Sequence, residues 1–232
     1  RFYECEDWPG VDVLTEGNRN YSIVKQVASA ARQLGQKWIL SELYGCTGWQ
    51  FNFESHKYVG DWQALFGVNL RCHHLSWYTM AGEAKRDYPA SISFQSAWWK
   101  DYPWVEDYYA RLGMVLAQGE PGCDVLVINP IESLWCQVGI GWADGLQGKT
   151  PEIRELEHAY TEIFDWLTRS HIDFDYGDEE MLGRLAKVEK DSAGQAILRV
   201  GRAPYRVAVI PRMTTIRSTT LKLLDDFRKA GG

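Results

Sequence analysis

One acidic side chain in this sequence stands where buried strands usually deliver chemistry. The run Trp38-Ile39-Leu40-Ser41-Glu42-Leu43-Tyr44-Gly45-Cys46-Thr47-Gly48-Trp49 places Glu42 at the end of an apolar strand, just before a glycine-containing loop. In parallel α/β folds, loops at the C-terminal ends of strands converge on one mouth, and active sites are assembled there. A carboxylate among aromatic side chains is partly desolvated, which tunes it for acid–base or nucleophilic work. The plainer alternative is that Glu42 caps or pairs with a neighbour such as Arg71. Cys72-His73-His74 follows on what reads as the next strand. Side chains alternate along a strand, so His73 and His74 are expected on opposite faces, one reaching substrate while the other is packed. They lack the H-x-x-x-H spacing of a metal pair, although a metal hydrolase built on Glu42, Cys46 and His73 remains a third reading. The tryptophans and tyrosine of the flanking loops, Trp49, Trp77, Tyr78, Trp98 and Trp99, could stack on a sugar or simply fill a core.

The elements that must hold these residues alternate between short apolar runs and helical patterns, which is the signature of βα units with parallel strands. Strands are expected at Val11–Leu14, Lys37–Leu43 and Val68–Trp77, with helices at Tyr21–Leu34, Glu54–Phe66 and Trp104–Gln118. Gly119-Glu120-Pro121-Gly122 reads as a linker. Beyond it the pattern predicts strands at Val125–Ile128, Asp173–Tyr176 and Arg206–Ile210. It also predicts a hairpin of Lys187–Glu189 with Ala196–Val200, and helices at 151–170 and Thr219–Ala230. Gly139-Ile140-Gly141-Trp142-Ala143-Asp144-Gly145 lacks the lysine of a phosphate-binding loop and reads as a loop only. Neither Cys123 nor Cys136 sits at a strand-to-helix elbow, where a nucleophilic cysteine belongs. Both ends of the chain read as cut, so an internal piece of a longer protein is expected.

Composition narrows the function. With 25 Lys and Arg against 31 Asp and Glu, the chain carries a net charge of −6 and no basic block, which argues against nucleic acid. Its longest aliphatic runs are too short to span a bilayer, so a soluble protein is expected, in either cytoplasm or periplasm. Five cysteines leave at least one thiol free. The 11 Trp, 12 Tyr and 8 Phe are weighted to the first half and suggest a carbohydrate partner, whose C–H faces stack on indole rings.

Three stretches carry a resemblance: Gly10-Val11-Asp12-Val13-Leu14, Leu40 through Trp49, and Gly67-Val68-Asn69-Leu70. Together they resemble large bacterial glycoside hydrolases, in particular the α-L-rhamnosidase-like proteins of glycoside hydrolase family 106 and their relatives. Arg86-Asp87-Tyr88-Pro89 and Gln95-Ser96-Ala97-Trp98-Trp99 are similar to a loop at the end of that barrel. The second half is similar to the open, flavodoxin-like, amidotransferase-like domain that follows the barrel in β-galactosidases of family 42. The resemblance implies an α/β chain with two parts. Residues 1–119 would be the last strands and helices of a (β/α)8 catalytic barrel, and 120–232 part of an accessory open parallel domain, both truncated. It implies an enzyme of polysaccharide degradation, an O-glycosyl hydrolase with Glu42 as nucleophile or general base. His73, His74, Asp87 and the loop aromatics would serve as substrate contacts. Such hydrolases use paired carboxylates; in related barrels the partner comes from the fourth strand, which this chain does not contain. The isolated chain is therefore expected to lack its second acid and to be inactive unless Asp12, Glu83 or Asp87 substitutes, and no spacing selects among these three. No cofactor follows from the residues; calcium enters only through the resemblance. A second copy of the chain, covering exposed strand edges, is an expected partner. The rival is a non-catalytic carbohydrate-binding or scaffolding module.

Overall fold

A computed structural model describes residues 1–82, 92–141, 143–144 and 147–232. It is a mixed α/β chain with parallel sheets. It separates into two compact units, one of Cys5–Ala31 with Gln36–Glu120, the other of Arg1–Glu4, Arg32–Gly35 and Pro121–Gly232. No helix among the described residues is long and apolar enough to cross a membrane. All five cysteines are free thiols.

The first unit is built on a three-stranded parallel sheet in the order β1 (Gly10–Val13), β2 (Leu40–Leu43), β3 (Leu70–His73). Each crossover is helical: α1 (Tyr21–Leu34) links β1 to β2, and α2 (Phe53–Leu65) links β2 to β3. A third helix, α3 (Pro103–Leu116), packs beside α2. Asn52 caps α2 by accepting from the Ser55 N–H, and Pro103 occupies the first turn of α3, where its missing N–H costs nothing. The register pairs Asp12 with Glu42 and Glu42 with Cys72, so these three share one face. The opposite face carries Val11, Val13, Ser41 and Leu43, all buried. A core of Leu43, Tyr44, Phe51, Val59, Tyr102, Val105 and Tyr109 gathers there with α2 and α3. The sheet therefore has one packed face and one only partly covered, the polar face of Asp12 and Glu42, which Leu40 and Leu70 share. Strand β3 is shorter than the run Val68–Trp77 suggests: it ends at His73, and Trp77 belongs to the loop beyond.

In the second unit a parallel sheet runs in the order β11 (Val207–Val209), β4 (Val125–Ile128), β7 (Phe174–Gly177). Every residue of β4 is buried, as a central parallel strand requires. The expected hairpin is present as β8 (Ala186–Lys190) and β9 (Ala196–Val200), and β10 (Ala203–Tyr205) adds a third antiparallel strand. Two short helices, α4 (Ile131–Trp135) and α6 (Glu179–Leu185), lie where the sequence pattern shows only connections. Each is too brief for a helical repeat of apolar residues to emerge. Ala143–Asp144 and Gln147–Gly148 pair as β5 and β6, a small ladder within the glycine-rich segment read as loop. The remaining helices are α5 (Pro151–Arg169) and α7 (Ser218–Lys229). The core of this unit joins Leu126, Ile128, Leu182, Leu198, Val200, Tyr205 and Phe227.

Candidate active site

Glu42 is the penultimate residue of the central strand, on the polar face. Immediately after that strand the backbone does something costly. Tyr44 and Cys46 both adopt left-handed conformations, at φ 69° and 58°, on either side of Gly45. Non-glycine residues there cost about 1–3 kcal/mol each and persist only where neighbours over-determine them. Here Thr15 N–H donates to Gly45 O at 2.8 Å and Thr47 Oγ donates to Tyr44 O at 2.6 Å. The Tyr44 ring is fully buried, its hydroxyl donating to His56 O and accepting from Arg71. The turn that follows Glu42 is thus held in one shape by its own Thr47 and by contacts from three other segments of chain.

Gly45 has a separate role. A Cβ at this position would lie 2.6 Å from Leu14 Cδ2 and 2.8 and 2.9 Å from Cγ and Cβ of His74. Leu14 can swing away, but His74 Cβ cannot move without its backbone. Gly45→Ala is therefore expected to destabilise the chain by about 1–3 kcal/mol, as overpacking does, measured as a lowered midpoint in urea unfolding; an unchanged midpoint would refute the close approach.

The two histidines part as alternation requires. His74 N–H donates to Leu43 O at 3.0 Å, and its Nε2 lies 3.3 Å from Glu42 Oε1. His73 lies on the packed face, with Nε2 3.0 Å from both Tyr102 Oη and Glu106 Oε1 and 3.2 Å from Arg71 Nη2. Glu42 and His73 are thus on opposite faces, and the metal trio Glu42, Cys46 and His73 does not assemble. Nor is Arg71 the partner of Glu42. It points to the packed face, stacks on the Tyr109 ring at 3.8 Å and pairs with Glu106 at 3.5 Å. Burial works against the charge on Glu106, but the His73 hydrogen bond and the Arg71 charge outweigh it and hold that carboxyl down at about 2. His56, enclosed behind the same cluster, is pushed down to about 4 by burial, its Nδ1 bonded to Asn52 O.

This second cluster was not foreseen, yet its spacing is visible afterwards. Arg71 and His73 are two apart on a strand, and Tyr102, Glu106 and Tyr109 follow the i, i+4, i+7 rule of one helix face. It is a structural girder under the site, with its polar groups turned away from the Glu42 face.

The aromatics divide. Trp49 and Trp77 meet edge to face at 5.1 Å, joining the loops after β2 and β3; Trp49 is half exposed. Trp98 is partly buried and packs against the core on Phe53, His56 and Tyr102. Trp99 stacks over Tyr102 and Tyr78 projects into solvent. Asp87, Glu83, Arg86, Tyr88 and Pro89 lie outside the described residues, as does Trp142. Among the described residues no three His, Cys, Asp or Glu side chains converge as metal ligands. No family model matches the sequence, and no curated protein matches it.

Proposed function

We propose that this chain belongs to a glycoside hydrolase, with its first unit forming part of a (β/α)-barrel and Glu42 acting as a catalytic carboxylate. The observation that carries the reading is the pairing of Glu42 with Asp12. They are in-register partners on neighbouring parallel strands and share the polar face of the sheet. Neighbouring strands lie about 4.8 Å apart, so the two side chains leave the same rim of the sheet side by side, as the two carboxylates of a glycosidase must flank one bond. In this reading Glu42 attacks the anomeric carbon as the glycosidic C–O bond breaks, and Asp12 delivers the proton to the departing oxygen. Water then cleaves the glycosyl ester, with Asp12 taking its proton. The strained turn after Glu42 supports the reading too, because backbone strain concentrates at sites of function.

Trp49 and Trp77 would form the platform for a sugar ring. Trp49→Ala is expected to raise KM about tenfold, equivalent to about 1.4 kcal/mol, with kcat little changed; an unaltered KM would remove Trp49 from the site. The half-exposed Trp49 also suits the rival, a carbohydrate-binding module without turnover. Hydrolysis of a panel of aryl glycosides, α-L-rhamnoside included, separates the two. Turnover lost in both Asp12→Asn and Glu42→Gln is the expected result. Binding without turnover in the folded parent chain would favour the module. The accessory role of the second unit, and a second copy of the chain along β1 or β3, belong to the same proposal.

A further inference from the structure

The contact between His74 and Glu42 assigns the histidine a task different from touching substrate. We propose that His74 is a positioning residue: its Nε2–H donates to Glu42 Oε1, fixes the plane of the carboxylate and leaves Oε2 as the oxygen presented to the reacting centre. This inference rests on the hydrolase reading above for its catalytic consequence, and on geometry alone for the pairing.

Three observations converge. The His74 backbone is tethered, since its N–H continues the ladder beyond β3 by donating to Leu43 O, the residue after Glu42. The ring has a prepared seat, because it lies against Gly45 so closely that any side chain there would collide with it. The proton has one sensible place. A carboxylate only accepts, so a hydrogen bond across the 3.3 Å ion-pair distance from Nε2 to Oε1 needs the hydrogen on Nε2. The other nitrogen, Nδ1, is enclosed and has no hydrogen-bond partner among the described residues. A hydrogen there would be a buried donor left unsatisfied, which is costly. Tether, seat and proton placement together leave the imidazole one orientation, and that orientation is spent on Glu42. A sugar hydroxyl would have to displace Glu42 to reach the same nitrogen.

The consequence is kinetic. A carboxylate held by one oxygen reacts through the other in a defined direction, and misplacement by about 1 Å can cost about 10²-fold in rate. His74→Ala is therefore expected to lower kcat on an aryl glycoside about 10²-fold with KM within about twofold. His74→Gln, whose amide nitrogen can occupy the place of Nε2, is expected to recover most of that loss. Nitrogen-15 NMR of the imidazole in the full chain provides a readout independent of turnover. The parent should show the Nε2–H tautomer, and Glu42→Ala should shift that signal. A Nδ1–H tautomer, or a signal indifferent to Glu42→Ala, would overturn the pairing. A rise in KM with kcat unchanged would overturn the positioning role and make His74 a substrate ligand. A folded parent without turnover would overturn the hydrolase reading and the catalytic role with it, while the NMR signal still decides the pairing.

Discussion

Glu42→Gln is expected to lower kcat on aryl glycosides by about 10³-fold or more, the scale of losing a positioned acid–base or nucleophilic group, while the folded chain stays intact. The two halves of that expectation come from the same geometry. The Glu42 side chain is 38% exposed and its ion-pair contact is with His74, itself on the rim of the sheet. Replacing one carboxylate oxygen by an amide nitrogen changes little packing, so the unfolding midpoint should move by less than about 0.5 kcal/mol, as for most exposed substitutions. Reactivity is a different matter, because an amide neither attacks an anomeric carbon nor takes a proton from water. A matched loss of binding to unreactive sugar would point instead to the binding-module reading, in which Glu42 contacts ligand without chemistry. Turnover retained in Glu42→Gln would end the proposal for this residue.

Arg71→Met should destabilise the first unit by about 3 kcal/mol, measured by urea unfolding near neutral pH. Its guanidinium is nearly enclosed, at 12% side-chain exposure, between the Tyr109 ring, the Tyr44 hydroxyl and Glu106. Removing one partner of a buried pair costs about 3–5 kcal/mol because the other is left uncompensated. The lower end applies here, since Glu106 is half exposed and can recruit water. The Tyr44 hydroxyl also loses a donor, and Tyr44 is the residue that holds the turn after Glu42. Arg71→Met should therefore depress activity as well, although Arg71 faces away from the catalytic side.

The same cluster gives acid stability a recognisable shape. Burial opposes ionisation of Glu106, but His73 and Arg71 prevail and hold it at about 2, against 4.5 for a free glutamate. A depressed carboxyl contributes its stability above the unfolded value and loses it as pH falls toward the folded one. The contribution should therefore be intact above about pH 4.5 and fade between there and about pH 2. With half the group in solvent, screening reduces it to about 1 kcal/mol. Unfolding measured across that window should show a drop in the parent that is flattened in Glu106→Gln. Equal slopes in the two proteins would mean that the carboxyl is not held down.

The local pattern of the chain was sufficient for much of this. A short apolar run marked β2, and alternation along the next strand sent His73 and His74 to opposite faces; apolar spacing and Asn52 placed α2; Gly119 to Gly122 marked the change of unit. Those features depend on residues a few positions apart, whose geometry the backbone itself dictates. Partners distant in sequence were not legible. That Asp12 lies beside Glu42 follows from strand register, that Arg71 serves Glu106 follows from where α3 packs, and that Trp98 packs against the core while Trp49 stays half exposed follows from loop closure. A sequence states which side chains share a face of their own element. Which element covers that face is decided by packing the whole unit, and only then does a carboxylate acquire its neighbour and an arginine its counter-ion.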